Sequence, residues 1–237
     1  YFVKVKKPEE IEEAFLFAKE NKLKTFVLGG GSNIVVSDRG FDGLVVQIRT
    51  EGIKIIKENK EAVELEVASG EEWDNLVVFT VERNWEGIEC LSGIPGRVGS
   101  APIQNINAYG QIVAESVKSI RALDQKSGKV VDISNPECDF GYRKSIFNTT
   151  EKGRYFIISV TFTLKPNGVS AIRYEYLQKY LEEHPGTPMT LENIRKAVLE
   201  LRKKRGHLIL EGQSVFTVGS FFKNSSQLEM DKFRQIE

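Results

Sequence analysis

Residues 93–110 read GIPGRVGSAPIQNINAYG, four glycines and two prolines in one unbroken stretch. Gly93, Gly96 and Gly99 recur every third residue, a spacing that the interior of a helix or strand tolerates poorly. Pro95 and Pro102 stiffen the backbone between and beyond them. The fold must therefore be built on either side of a long irregular segment. Glycine loses more conformational entropy on ordering than any other residue. These glycines either turn corners or let the backbone come close to something, and the rest of the chain has to decide.

The flanks mix helices and strands. Residues 7–22 predict a helix: Pro8 suits a first position, Glu9 and Glu10 its positive end, and Ile11, Ala14, Phe15 and Ala18 share a face. TFVLGGGSNIVVSD reads as a β-like run broken by three glycines and resumed, and GLVVQI follows. Residues 62–67 predict a strand with one wet face, Val63, Leu65 and Val67 opposite Glu64 and Glu66. Residues 71–83 read as a helix and 119–133 as two strands joined at DQKSGK. In residues 155–164, Phe156, Ile158, Val160, Phe162 and Leu164 are expected to point one way. Thr190 can cap a helix carrying Ile194, Ala197, Val198 and Leu201 inward and ending in RKKR before Gly206. Without the strict rhythm of a doubly wound sheet, the class is α+β. Boundaries are expected near residue 50 and near Gly206, dividing the chain into residues 1–50, 51–206 and 207–237.

Composition acts mainly by exclusion. Lys plus Arg and Asp plus Glu number 33 each, so the net charge asks for neither nucleic acid nor an acidic membrane. No apolar run approaches membrane-spanning length, and no leader-like basic and apolar segment opens the sequence. Cys90, Cys138, His184 and His207 make neither a disulfide framework nor a zinc site. A reduced cytoplasmic globular protein with no metal is the expectation.

Four stretches can carry chemistry. LGGGSN, residues 28–33, is either a tight hairpin turn or a nest of backbone N–H groups for a phosphate, with Ser32 and Asn33 as added donors. It is not the dinucleotide fingerprint, because G-x-G-x-x-G fails. Residues 93–110 offer no nucleophile or base, but main-chain amides, Gln104, Asn105, Asn107 and the flat face of Tyr109 suit a polar, phosphate-bearing ligand. FGYRKSIFN places Arg143 beside Tyr142, either as a surface ion pair or as a clamp for a carboxylate or phosphate. VGSFFKN sets Ser220 after Gly219, as a turn residue or as a reactive hydroxyl. RKKR, Arg202 to Arg205, reads most simply as a basic helix end matching the helix dipole.

In this order and spacing the four stretches resemble those of the UDP-N-acetylenolpyruvoylglucosamine reductases (MurB), from the first helix to about Asn224. The IPG…PIQN loop and the segment IRYEYL are similar to the branch with the longer, tyrosine-bearing substrate loop. The resemblance implies a flavin fold of the vanillyl-alcohol-oxidase/PCMH type. Residues 1–50 and 51–206 would be two FAD-binding subdomains, and residues 207–237 the start of a substrate-binding domain only partly represented. It also implies an NADPH-dependent flavoenzyme of peptidoglycan synthesis. Such an enzyme reduces UDP-N-acetylglucosamine enolpyruvate to UDP-N-acetylmuramate, hydride passing from flavin N5 to C3 and a proton from serine to C2.

The implied residues follow motif by motif. Gly29, Gly30, Gly31, Ser32, Asn33, Gly99, Ser100, Asn105, Ala108, Tyr109 and Gly110 would contact FAD, with Arg202 the basic position near the flavin. Arg143 would steady the enolate-like charge and Ser220 would protonate C2. Tyr142, Tyr174, Arg205, Lys223 and Asn224 would meet the substrate. The third catalytic group of the resemblance, a glutamate near the C-terminus, is expected outside these 237 residues. Asn107 stands where glycine is usual, and asparagine tolerates positive φ. The protein is expected to be a cytoplasmic monomer that binds neither nucleic acid nor membrane. A non-catalytic flavin-binding module and an oxidase of the same broader fold are the alternatives.

Overall fold

The computed structural model describes residues 1–208. Strand β1 (Phe2–Val5), helix α1 (Pro8–Glu20), strand β2 (Thr25–Leu28) and strand β3 (Leu44–Ile48) make the first unit. Helix α1 starts at Pro8, and Glu10 reaches back to accept the N–H groups of Lys6 and Lys7. Its buried residues are the expected Ile11, Ala14, Phe15 and Ala18. Strand β3 is central, parallel to both neighbours in the order β1-β3-β2, and buries Leu44, Val46 and Ile48.

That parallel pairing removes the hairpin reading of LGGGSN. A hairpin joins antiparallel strands, whereas residues 29–43 cross over between parallel β2 and β3. The β-like run does not resume after the glycines either. Residues 34–36 are irregular, and Val35 and Val36 are exposed, so they lack a sheet neighbour to pair with.

Strands β4 (Ile53–Glu58) and β5 (Val63–Ala68), helix α2 (Trp73–Glu82) and the short strand β6 (Trp85–Glu86) follow. After the glycine-rich segment come the short strands β7 (Asn107–Ala108) and β8 (Gln111–Ile112), then β9 (Val117–Asp124), β10 (Lys129–Ser134) and β11 (Tyr155–Pro166). An antiparallel sheet runs in the order β10-β9-β11-β5-β4, with β6 also paired to β11. Val63, Leu65 and Val67 are fully buried, as their alternation requires. Helices α3 (Glu175–Glu182) and α4 (Leu191–Lys204) complete the described chain. The Thr190 hydroxyl accepts the Asn193 N–H at 3.2 Å and caps α4, while Ile194, Ala197 and Val198 pack with Cys90, Tyr109 and Leu177.

Strand β11 departs from a single-faced reading. Its pairing with β9 shifts register between Ile157 and Ser159, an irregularity of the β-bulge kind that turns successive side chains to other faces. Phe156 and the partly buried Ile158 therefore join Leu123 in the cluster of the first unit. Ile157, Val160, Phe162 and Leu164 pack instead into the main core around Trp73 and Leu76. One strand thus serves two hydrophobic clusters.

The turn at DQKSGK is fixed by Asp124. Its carboxylate accepts Arg154 Nε at 2.7 Å and Nη2 at 2.8 Å, plus the Lys126 N–H and Ser127 Oγ at 3.0 Å each. The Arg154 bonds, opposed by burial, hold the Asp124 carboxyl well below the usual range. A depressed folded-state pKa stabilises the fold above the unfolded value of about 3.9, and the contribution fades as pH falls below it. Asp124→Asn should cost on the order of 1.5–3 kcal/mol at pH 7 in urea unfolding. The gap between variant and parent should close below about pH 4; a gap that is constant with pH would refute the assignment.

Candidate functional site

The loop after β2 and the glycine-rich segment face each other across a cleft of about 1060 Å³. Their backbones meet at its rim. A methyl group on Gly30 would lie 2.9 Å from Gly96 Cα, and one on Gly29 would lie 2.6 Å from Ser100 Oγ. Ser32 Oγ donates to Pro95 O at 3.4 Å. The first thing these glycines approach is therefore each other.

The two stretches then divide the work. The Gly99 N–H donates to Ser69 O at 2.8 Å and the Ser100 N–H to Arg97 O at 3.0 Å, so both amides are committed inside the protein. The N–H groups of Gly30, Gly31, Ser32 and Asn33 find no acceptor among the described residues. Successive unpaired amides of this kind suit an anion. Gly99 is needed for packing, since a Cβ there would lie 2.5 Å from Ser69 Cβ.

Among the described residues, three buried side-chain atoms lack a hydrogen-bond partner: Asn33 Oδ1, Ser69 Oγ and Arg202 Nε. All three residues line this cleft. Buried polar atoms are nearly always paired, so three orphans lining one cleft fit a polar ligand. Arg202 lies in the basic last turn of α4, as RKKR suggested, and its side chain is turned inward. It is 8% exposed, donates from Nη2 to His207 O at 3.0 Å, and burial lowers its pKa despite the pull of Tyr109 and Asp74.

Arg143 occupies the tip of a tight turn. Gly141 and Lys144 exchange backbone hydrogen bonds of 3.0 and 3.2 Å, and Arg143 between them has φ 52°. That is the pattern of a type II turn, whose third position normally takes glycine. Its backbone carbonyl accepts Asn148 Nδ2 at 3.1 Å, and its guanidinium reaches Asn107 O at 3.5 Å. Tyr142 beside it is exposed, and both line the cleft. Along the same wall the Tyr109 and Tyr174 rings meet edge-on at 5.4 Å. Arg205 donates to Tyr174 Oη at 3.4 Å and stacks over Tyr176.

The cleft gathers Gly29, Gly30, Gly31, Ser32, Asn33, Gly99, Ser100, Ala108, Tyr109, Gly110, Tyr142, Arg143, Tyr174, Arg202 and Arg205. Asn105 is the exception. It is buried at φ 47°, its amide donating to Gly141 O at 2.9 Å and accepting the Ala114 N–H at 3.1 Å. It braces the Arg143 turn rather than facing the cleft. Asn107 needs no positive φ, because it lies in β7, and Asn105 and Tyr109 carry the left-handed backbone instead. Ser220, Lys223 and Asn224 lie outside the described residues. Sequence reasoning missed Ser69, Arg97 and Lys152, which also line the cleft. Arg97 is buried, donating to Gly70 O at 3.0 Å and pairing with Glu72 at 2.9 Å.

A family model described as an FAD binding domain matches residues 1–134. The chain belongs to that family. As a member of the FAD-binding domain family it has close sequence relatives as well. The UDP-N-acetylenolpyruvoylglucosamine reductase of Salinispora arenicola is 42% identical over 85% of this chain and 55% of its own length. That of Streptomyces coelicolor is 38% identical over 91% of this chain and 55% of its own length. The chain thus spans little more than half the length of these relatives. Among solved structures, the UDP-N-acetylenolpyruvylglucosamine reductase (MurB) from Thermus caldophilus superposes with a TM-score of 0.63 at 22% identity, covering 100% of this chain and 73% of that one. A substrate-bound p-cresol methylhydroxylase superposes with a TM-score of 0.50 at 17% identity over 70% of this chain and 35% of its own. The fold is the vanillyl-alcohol-oxidase/PCMH type.

The residues present fit FAD. The free amides of residues 30–33 suit a diphosphate, Arg202 offers a buried cation, and Ile94, Ile103, Ile106 and Trp73 add apolar lining for a ring system. Gly30→Ala should separate the two loops, overpacking costing about 1–3 kcal/mol. Fluorescence titration with FAD should then show at least about tenfold weaker binding than the parent. Undiminished affinity would mean that the loop contact does not shape the cleft.

Proposed function

We propose that this protein is the FAD- and NADPH-dependent reductase that converts UDP-N-acetylglucosamine enolpyruvate to UDP-N-acetylmuramate in peptidoglycan synthesis. The observation that carries the reading is the sharing of one cleft: Arg143, Tyr174 and Arg205 line the same cavity as the glycine nest and Arg202. A cofactor end and a cationic, tyrosine-bearing end in one cavity suit a flavin beside an anionic sugar nucleotide. The name carried by the 42%-identical relative is the supporting analogy. We read residues 1–50 and 51–206 as the two subdomains that grip FAD, and residues 207–237 as the start of a substrate domain.

Bound FAD supplies the two-electron carrier between NADPH and the enolpyruvyl C3. The protein's own residues do the rest. The N–H groups of residues 30–33 would hold the diphosphate of the cofactor, and Arg202 would stand near its flavin. Addition at C3 drives negative charge onto C2 and the adjacent carboxylate, and the guanidinium of Arg143 stabilises that charge. The left-handed turn presents Arg143 without a carboxylate partner among the described residues, leaving its charge for substrate. Local strain of this kind is held where a side chain must be aimed. Ser220 donates the proton to C2, a transfer that requires water to be kept out. Tyr174, steadied by Arg205 and Tyr109, lies against the substrate diphosphate. Two buried, unpaired cysteines fit a reducing cytoplasm, where a monomer would act.

The test is spectroscopic and uses the full-length FAD-loaded protein. Flavin bands should bleach with NADPH and return anaerobically on adding the enolpyruvyl sugar nucleotide. Bands that bleach and stay bleached would reduce the protein to a flavin-binding module. Arg143→Ala should leave the NADPH half-reaction nearly intact and slow the second by about 10²–10³-fold, the usual loss of a charge-stabilising donor. Equal slowing of both halves would exclude Arg143 from the enolate step.

A further inference from the structure

Glu89 is fully buried in the single helical turn Glu89–Leu91. All its described bonds come from neutral donors. Oε2 accepts the Gly87 N–H at 2.9 Å, and Oε1 accepts Gln111 Nε2 at 2.6 Å and the Ser170 hydroxyl. Gln111 in turn accepts the Cys90 N–H at 2.7 Å, and Cys90 Sγ lies 3.7 Å from Ser170 Oγ. A buried carboxylate with no ion-pair partner among the described residues is costly to keep. What it gains is the joining of donors that belong to separate parts of the chain.

Those parts converge on the cleft. Gln111 begins β8, directly after Tyr109 and Gly110. Ser170 lies in the irregular segment that leads to Tyr174. The two backbones press together one step further on. A Cβ on Gly110 would lie 2.9 Å from Arg173 Cβ and 3.2 Å from the Tyr174 nitrogen. We infer that Glu89 is a positioning residue, tying the Tyr109 segment to the Tyr174 segment and so setting the shape of the cleft where the two tyrosines meet. Its value to turnover rests on the proposed reductase reading; the tie itself does not.

Cys90 reports on the tie, and Cys138 serves as the control. Both thiols are buried and pushed up to about 12, chiefly by burial, and Cys138 lies apart from the network, donating to Ser134 O at 3.4 Å. Two variants of the FAD-loaded protein are treated with N-ethylmaleimide and the labelled peptides counted. Ser170→Ala deletes the bond to Glu89 together with the Cys90 contact, with little change of volume. Glu89→Gln places a donor against donors that previously met an acceptor. Cys90 labelling should accelerate by at least about tenfold in each folded variant, as expected for losing a hydrogen bond to a charged group, with Cys138 unchanged. If Glu89→Gln does not fold, Ser170→Ala decides alone. Labelling of Cys90 at the parent rate, or equal acceleration of both cysteines, would overturn the inference. In turnover, the same variants should raise KM for the enolpyruvyl sugar nucleotide several-fold and leave flavin reduction by NADPH unchanged. A parent protein that ignores that substrate, with Cys90 nevertheless released by the variants, would sink the reductase reading and leave the tie standing.

Discussion

The contact between Gly30 and Gly96, backbone against backbone, is the constraint on which the cleft depends. It brings the crossover of the parallel sheet against the irregular segment beside the antiparallel one. The segment is anchored at its far end too. The Gly93 N–H donates to Asp74 Oδ1 at 2.6 Å, and Asp74 is gripped by Arg195 of α4 through two bonds of 2.7 Å. Burial would raise the Asp74 carboxyl, but the Arg195 and Gly93 bonds prevail and hold it low. The loop, α2 and α4 are thereby one assembly, and Arg202 stands two turns along α4 from that anchor.

The electrostatics of the cleft follow from this arrangement. Arg202 is buried, and among the described residues its Nε has no partner and its guanidinium pairs with no carboxylate. The nest of residues 30–33 adds oriented dipoles of the same sign without a further mobile charge. A preorganised positive surface of this kind binds an anion with little reorganisation.

Much of the architecture was legible because periodicity records burial. The four apolar residues of α1, the alternation of β5 and the Thr190 cap of α4 each carry a local signal that burial and hydrogen bonding match. What was not legible depends on partners distant in sequence. Nothing in LGGGSN states that β2 will pair in parallel with β3, so a hairpin remained open until the register was known. The alternation of residues 155–164 hides the bulge, because apolar residues on either side of it suit both clusters. The cleft residues were found through motifs, and those that were missed, Ser69, Arg97 and Lys152, lie outside glycine-rich or reactive patterns or look like ordinary surface charges. Asn105 was misplaced because an asparagine in a ligand loop looks like a donor, whereas its bonds turn inward.

The bulge in β11 has a consequence for how the protein comes apart. Phe156 belongs to the cluster that includes Val5, Ile11, Leu44 and Val46, while Val160 and Phe162, a few residues on, belong to the cluster around Trp73. Pulling this strand from either cluster uncovers apolar surface in the other, so neither unit can melt and leave its neighbour intact. The two therefore share one cooperative transition, and calorimetry of the protein should show their unfolding as a single peak.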